Sequence, residues 1–153
     1  WMLVRTRYGI GESISRDGGR RWSPGMPTHI PSPISRFFIR RTASGQLLLI
    51  THAYSQPNPN HTNGHPLRSH LTTYLSDDDG LTWGTGLCID ERVSVSYPDA
   101  TEGPAGTFHV IYDRDRHGAG DILMATVNEA EILRGGALPA SRRMPVSRMN
   151  SAK

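Results

Sequence analysis

Short runs of apolar or alternating apolar and polar residues recur along the chain. Gly, Pro, Asn and Asp clusters separate them. That punctuation predicts strands over residues 2–6, 11–15, 36–41, 46–52, 70–76, 107–112 and 122–127. One segment, 128–133, reads as a helix, with Asn128 as its N-cap and Gly135-Gly136 as its stop. Pro57, Pro59 and Pro66, among Asn58, Asn60, Asn63 and Gly64, make 56–67 a loop. The expected layout is an all-β domain over residues 1–134, followed by a disordered tail over 135–153.

The pattern contains a repeat. Ser15-Arg16-Asp17-Gly18-Gly19-Arg20-Arg21-Trp22 aligns with Ser76-Asp77-Asp78-Asp79-Gly80-Leu81-Thr82-Trp83, 61 residues further on. The shared form is Ser-x-Asp-x-Gly-x-x-Trp. An Asp carboxylate accepts backbone N–H groups across a hairpin turn. The Gly permits positive φ. The Trp is expected to bury its ring under the turn. Asp17 and Asp78 therefore read as structural residues, and Asp77 and Asp79 as solvent-facing turn residues.

Composition narrows the function classes. The chain has 153 residues, 36% hydrophobic, with a formal net charge of +3. No run approaches a membrane-spanning length. The single cysteine, Cys88, excludes an internal disulfide framework and a cysteine-based zinc finger. Set between Leu87 and Ile89, it reads as buried and inert. All basic residues but Lys153 are arginine, the side chain suited to bidentate recognition of carboxylates. No aromatic-interleaved basic patch points to nucleic acid. Arg142, Arg143, Arg148 and Lys153 are expected to lie in the solvated tail. Trp1 opens the chain in mid-strand pattern, which suggests a fragment with missing upstream sequence. No signal peptide is visible, so a secreted or periplasmic location would need one upstream.

The repeat is the Asp-box of BNR-repeat proteins. The segments Met2-Leu3-Val4-Arg5-Thr6, Pro66-Leu67-Arg68-Ser69-His70-Leu71, and Val95-Ser96-Tyr97-Pro98-Asp99 through Val110-Ile111-Tyr112-Asp113 resemble the C-terminal half of a sialidase-superfamily protein. The resemblance implies a six-bladed β-propeller of which about two and a half to three blades are present. It also implies exo-hydrolysis of a terminal, carboxylate-bearing sugar by a retaining mechanism with a Tyr nucleophile. By this correspondence Tyr97 is the nucleophile and Arg5 and Arg68 hold the substrate carboxylate, while Asp113 orients an arginine. The implied partner is an acidic glycan, with no cofactor and no metal. Two departures stand out: Pro98-Asp99 follows the Tyr where Ser is usual, and Tyr112-Asp113 replaces Tyr-Glu. The Glu that activates the Tyr, the first arginine and the Asp acid/base would all lie upstream of Arg5. The competing readings are a non-catalytic Asp-box scaffold that binds carbohydrate or protein, and a polysaccharide lyase.

Other chemistry is thinly supported. His61, His65 and His70 are spaced for a metal only on a helix, and their stretch reads as a loop. His52 and His109 alternate with apolar neighbours and read as satisfied strand residues. No Gly-x-Ser-x-Gly elbow supports serine catalysis.

Overall fold

A computed structural model describes residues 1–56 and 67–148. Its strands are β1 (Met2–Thr6), β2 (Gly9–Ser13), β3 (Met26–Pro27), β4 (Phe38–Arg41), β5 (Leu47–Gln56), β6 (Leu67–Ser76), β7 (Leu87–Asp90), β8 (Val95–Glu102), β9 (Thr107–Arg114), β10 (Asp121–Asn128), β11 (Gly136–Ala137) and β12 (Arg143–Ser147). They form three sheets with orders β1-β2-β3, β11-β7-β6-β5-β4 and β12-β10-β9-β8. Each sheet is an antiparallel meander, apart from the short parallel pairing of β11 on β7.

The sheets pack face to face. Leu48, Ile50, Leu71 and Ile89 of the second sheet meet Val95, Phe108, Val110 and Leu123 of the third. Leu49, between Leu48 and Ile50, points the other way and packs with Ile10 of the first sheet. The middle sheet is therefore covered on both faces, which is why β5 reads as a continuous apolar run rather than an alternation. His52, Thr51 and Thr73 are buried in the same sheet.

α1 (Glu129–Arg134) starts at Asn128 as expected. Asn128 Oδ1 accepts from the Glu131 backbone N–H, and the Glu131 carboxylate accepts from the Asn128 N–H. This reciprocal box satisfies two of the helix's open donors. Ile132 anchors the helix to the core.

The C-terminal segment corrects the sequence reading. Residues 135–148 are ordered, not a disordered tail. Leu138 is buried, its N–H donates to the Cys88 carbonyl at 2.8 Å, and β12 completes the third sheet. Arg143 is buried rather than solvated, with a side chain 6% exposed. It donates to Asp90, to Glu91 and to the Leu138 carbonyl. Strands β8 and β12 escape the sequence pattern because they carry Pro98 and Pro145. Both are edge strands, where the missing N–H of proline is tolerated.

The two Asp-boxes fold alike. Ser15 Oγ and Ser76 Oγ each donate to the Asp two residues on, at 3.0 and 2.8 Å. The Gly19 and Gly80 N–H groups donate back to those Ser hydroxyls, both at 2.8 Å. Asp17 accepts the Arg21 N–H and Asp78 the Thr82 N–H, also at 2.8 Å. Asp78 further accepts from the Thr82 hydroxyl, and these bonds hold its carboxyl at about 2. The Asp78 contribution to stability should therefore be complete above the ordinary carboxylate value near 3.9 and vanish as pH falls through about 2. Thr82→Ala should shift the Asp78 titration upward in a carboxyl-resolved NMR experiment.

The tryptophans differ. Trp83 packs into the core between the first two sheets, whereas Trp22 is 43% exposed, contrary to the expected burial. Among the described residues, only the box's own Trp22 comes near Gly19, whereas Trp1 lies over Gly80. Gly80 has φ +86°, and an added Cβ would come 2.7 Å from Trp1 Cη2. Gly19 has φ +87°, with its nearest such contact, Trp22 Cζ2, at 3.8 Å. Both Gly→Ala changes carry the left-handed cost of about 1–2 kcal/mol. Gly80→Ala should cost more, by the displacement of Trp1, and denaturant unfolding of the two variants measures the difference.

Candidate functional site

One cluster of side chains gathers where the three sheets meet. β1 presents Arg5 on the same face as Leu3, the face turned to the second sheet. Arg68 stands near the start of β6, Tyr97 in β8, and Asp113 near the end of β9. Arg116 follows in the turn after β9. That turn is held by the Asp115 carboxylate, which accepts the Ala119 N–H at 2.8 Å.

Arg68 is half-buried and fixed from behind. Its Nη1 donates to Ser96 Oγ and its Nη2 to the Ile34 carbonyl, both at 3.2 Å. Burial lowers its pKa, and the nearby Arg5 and Arg116 charges lower it further, while Tyr97 and Asp113 oppose them. Arginine stays charged under such a shift. Asp113, with a side chain 13% exposed, accepts from Arg116 Nε at 2.9 Å and from its Nη2. Arg116 in turn lies over the Tyr97 ring, its Cζ 4.1 Å from the centroid. That distance is within cation–π range.

Tyr97 is the centre of the cluster. The guanidinium groups of Arg116 and then Arg5 pull its phenol below the ordinary value of 10, against the opposing effect of burial. Its backbone is left-handed, φ +53°, at a break in the β8–β9 register between Ser96 and Asp99. A bulky residue in that region is strained, and such strain concentrates at functional sites. The bulge aims the phenol out of the sheet. Next to it, Asp99 pairs with Arg36 at 3.1 Å, joining β8 to the segment before β4.

The structure thus brings together all four sequence-predicted site residues, Arg5, Arg68, Tyr97 and Asp113. It adds Arg116, the last residue of the run Asp113-Arg114-Asp115-Arg116. The Asp113–Arg116 pairing exists, but the turn lifts the guanidinium onto Tyr97. The Arg5 and Arg116 guanidinium groups act on the Tyr97 phenol, Arg68 stands beside them, and Asp113 is paired with Arg116. Such a surplus of fixed positive charge suits an anionic ligand.

Residues 1–110 match the BNR repeat-like domain. The chain belongs to that family. No curated protein and no solved structure matches it significantly. Both Asp-boxes of this BNR repeat-like chain lie within the matched residues, and the family is a set of repeat proteins that includes glycoside hydrolases.

The remaining candidates fall elsewhere. His61 and His65 lie outside the described residues, and His70 sits in β6 beside Ser69, whose Oγ is 3.0 Å from its Nδ1. Among the described residues no group of three metal-binding side chains converges, and no helix is long and apolar enough to cross a membrane. Cys88 is half-buried, and burial raises its thiol pKa, which keeps it protonated and unreactive. His109 Nδ1 lies 3.1 Å from the Thr126 hydroxyl.

Proposed function

We propose that this chain carries part of the active centre of a sialidase-like exo-glycoside hydrolase acting on a terminal, carboxylate-bearing sugar. One observation carries the reading: Arg116 lies over the strained Tyr97, and Arg5 and Arg68 stand in the same cluster of charges. A carboxylate nucleophile would repel an anionic sugar, whereas a phenol backed by guanidinium groups does not. Arg5 and Arg68 clamp the sugar carboxylate through charge-assisted hydrogen bonds. The Tyr97 oxygen attacks the anomeric carbon as the glycosidic bond breaks; the phenol gives up its proton and the leaving oxygen takes up one, so the step is neutral in protons. Water then displaces the tyrosine and restores the phenol. Two displacements give net retention. Asp113 holds Arg116 in place over the ring.

The architecture fits the same reading. Stacked meanders that cover each other's faces are the packing of propeller blades, and here the proposed site residues stand on strands of three such sheets. In a six-bladed propeller of the sialidase type the site lies at the central axis.

The test is turnover of a chromogenic sialoside by the intact protein that carries this chain, with NMR of the first product formed. Release of the free sugar acid with its starting anomeric configuration supports the reading. If that protein binds sugar acids at a site abolished by Arg68→Ala but turns over no sialoside, it is a carbohydrate-binding scaffold. Unsaturated products absorbing in the near ultraviolet would identify a lyase.

A further inference from the structure

Behind the cluster lies a group that no step of the proposed reaction uses. His52, in β5, is 1% exposed. Its Nε2 is 2.9 Å from the Val95 carbonyl oxygen. A carbonyl only accepts, so Nε2 carries the proton. Its Nδ1 is buried and has no partner. Burial lowers the His52 pKa to about 4, against the opposing pull of the Val95 carbonyl, so the ring is neutral at ordinary pH. A buried imidazole with one nitrogen unsatisfied carries a cost that leucine at the same place would avoid.

The bond it makes falls at a telling position. Val95 begins the short stretch that leads into the strained Tyr97. Ser94, at φ +65°, donates its N–H to the Arg68 carbonyl at 2.8 Å and accepts from the Asp115 N–H at 3.0 Å. Ser96 accepts from the Arg68 side chain. His52 supplies the contact from the core side, between those two. The stretch before Tyr97 is thus gripped at each residue: Ser94 by the backbones of β6 and the Arg116 turn, Val95 by His52, and Ser96 by Arg68.

We propose that His52 is a positioning residue, whose hydrogen bond to the Val95 carbonyl holds the left-handed turn that keeps the Tyr97 phenol between Arg5 and Arg116. The inference rests on the assignment of Tyr97 as the reacting group, but it concerns the turn and not the substrate. Its test therefore needs no substrate. His52→Leu removes the donor and keeps an apolar side chain in the core. His52→Gln keeps an N–H for Val95.

The readout is the ultraviolet titration of the Tyr97 phenol, taken as the difference from a Tyr97→Phe chain. In His52→Leu that phenol should rise toward the ordinary 10, and in His52→Gln it should stay low. A Leu variant that folds and keeps the low phenol overturns the proposal.

A second measurement covers loss of folding. Tyr97→Gly relieves the left-handed strain, so the turn no longer needs holding. Combined with His52→Leu, it should recover at least half of the drop in thermal midpoint, or restore folding if the single variant lacks it. Equal losses with and without Tyr97→Gly, or failure of the double variant to fold, make His52 a packing residue only and overturn the proposal. A protein that passes these tests but hydrolyses no sialoside loses the catalytic reading and keeps the positioning one.

Discussion

Asp90→Ala should remove about 3–5 kcal/mol of stability, a large share of the roughly 5–15 kcal/mol that holds a domain folded. Asp90 is fully buried, and four groups depend on it. Arg92 donates from Nε at 2.9 Å, from Nη2 at 2.6 Å and from its backbone N–H at 3.1 Å. The buried Tyr112 hydroxyl donates at 3.0 Å and Arg143 Nη1 at 3.3 Å. Arg92 can turn toward water, since its side chain is 36% exposed. Tyr112 cannot, so its hydroxyl would be stranded, and Arg143 would be left with Glu91 and the Leu138 carbonyl alone. Burial pushes the Asp90 carboxyl up, but the bonds from Arg92 and Tyr112 outweigh it and hold the group below its ordinary value. Its contribution is therefore present above the unfolded value near 3.9 and lost as pH falls through the depressed folded value. Denaturant unfolding of Asp90→Ala checks the magnitude. Adding Arg143→Met should recover part of the loss, because the second change removes a buried cation that has lost one of its two carboxylate partners. A cost below about 1 kcal/mol, the range of exposed pairs, would show that the network adds little.

Tyr97→Phe should lower sialoside turnover on the order of 10³-fold or more, with KM changed little. The variant removes one oxygen and leaves Arg5, Arg68 and Arg116 in place, so the carboxylate clamp survives. Arg68→Ala should do the reverse. It removes charge-assisted hydrogen bonds to the ligand, worth about 1.5–3 kcal/mol, so KM should rise about 10- to 100-fold. Steady-state kinetics of the two variants separates the roles. Turnover by Tyr97→Phe at the parent rate would take the nucleophile's role away from Tyr97. The titration of the wild-type chain makes an independent check, since the Arg116 and Arg5 contacts predict one tyrosine that ionises early.

Much of the fold is legible in the residues because it is local chemistry. The Asp-boxes close on themselves through bonds among residues two and four apart. The Asn128 cap reads from its own Glu131. Pro98 and Pro145 hide their strands because proline argues against strand unless the strand is an edge, and edges exist only once the sheet is assembled. Arg143 looks like one more charge near the end of the chain. Its burial depends on Asp90, 53 residues earlier.

The site divides in the same way. Arg5, Arg68, Tyr97 and Asp113 stand out in the sequence by their correspondence to a family pattern. Arg116 does not, because it reaches Tyr97 only through the turn held by Asp115. His52 looks like a satisfied strand histidine, and only its place behind Val95 gives it a role.

By itself the sequence determined what is settled within a hairpin, a cap or an alternating strand: the all-β class, the repeat and the helix. Their energies come from neighbours a few residues away, so pattern and residue type suffice. The tertiary structure decided what depends on distant partners: the order of residues 135–148, the burial of Asp90 with Arg143, and the meeting of three guanidinium groups on one strained tyrosine. Charge and burial act through space, and only the packing of the three sheets fixes which side chains share it.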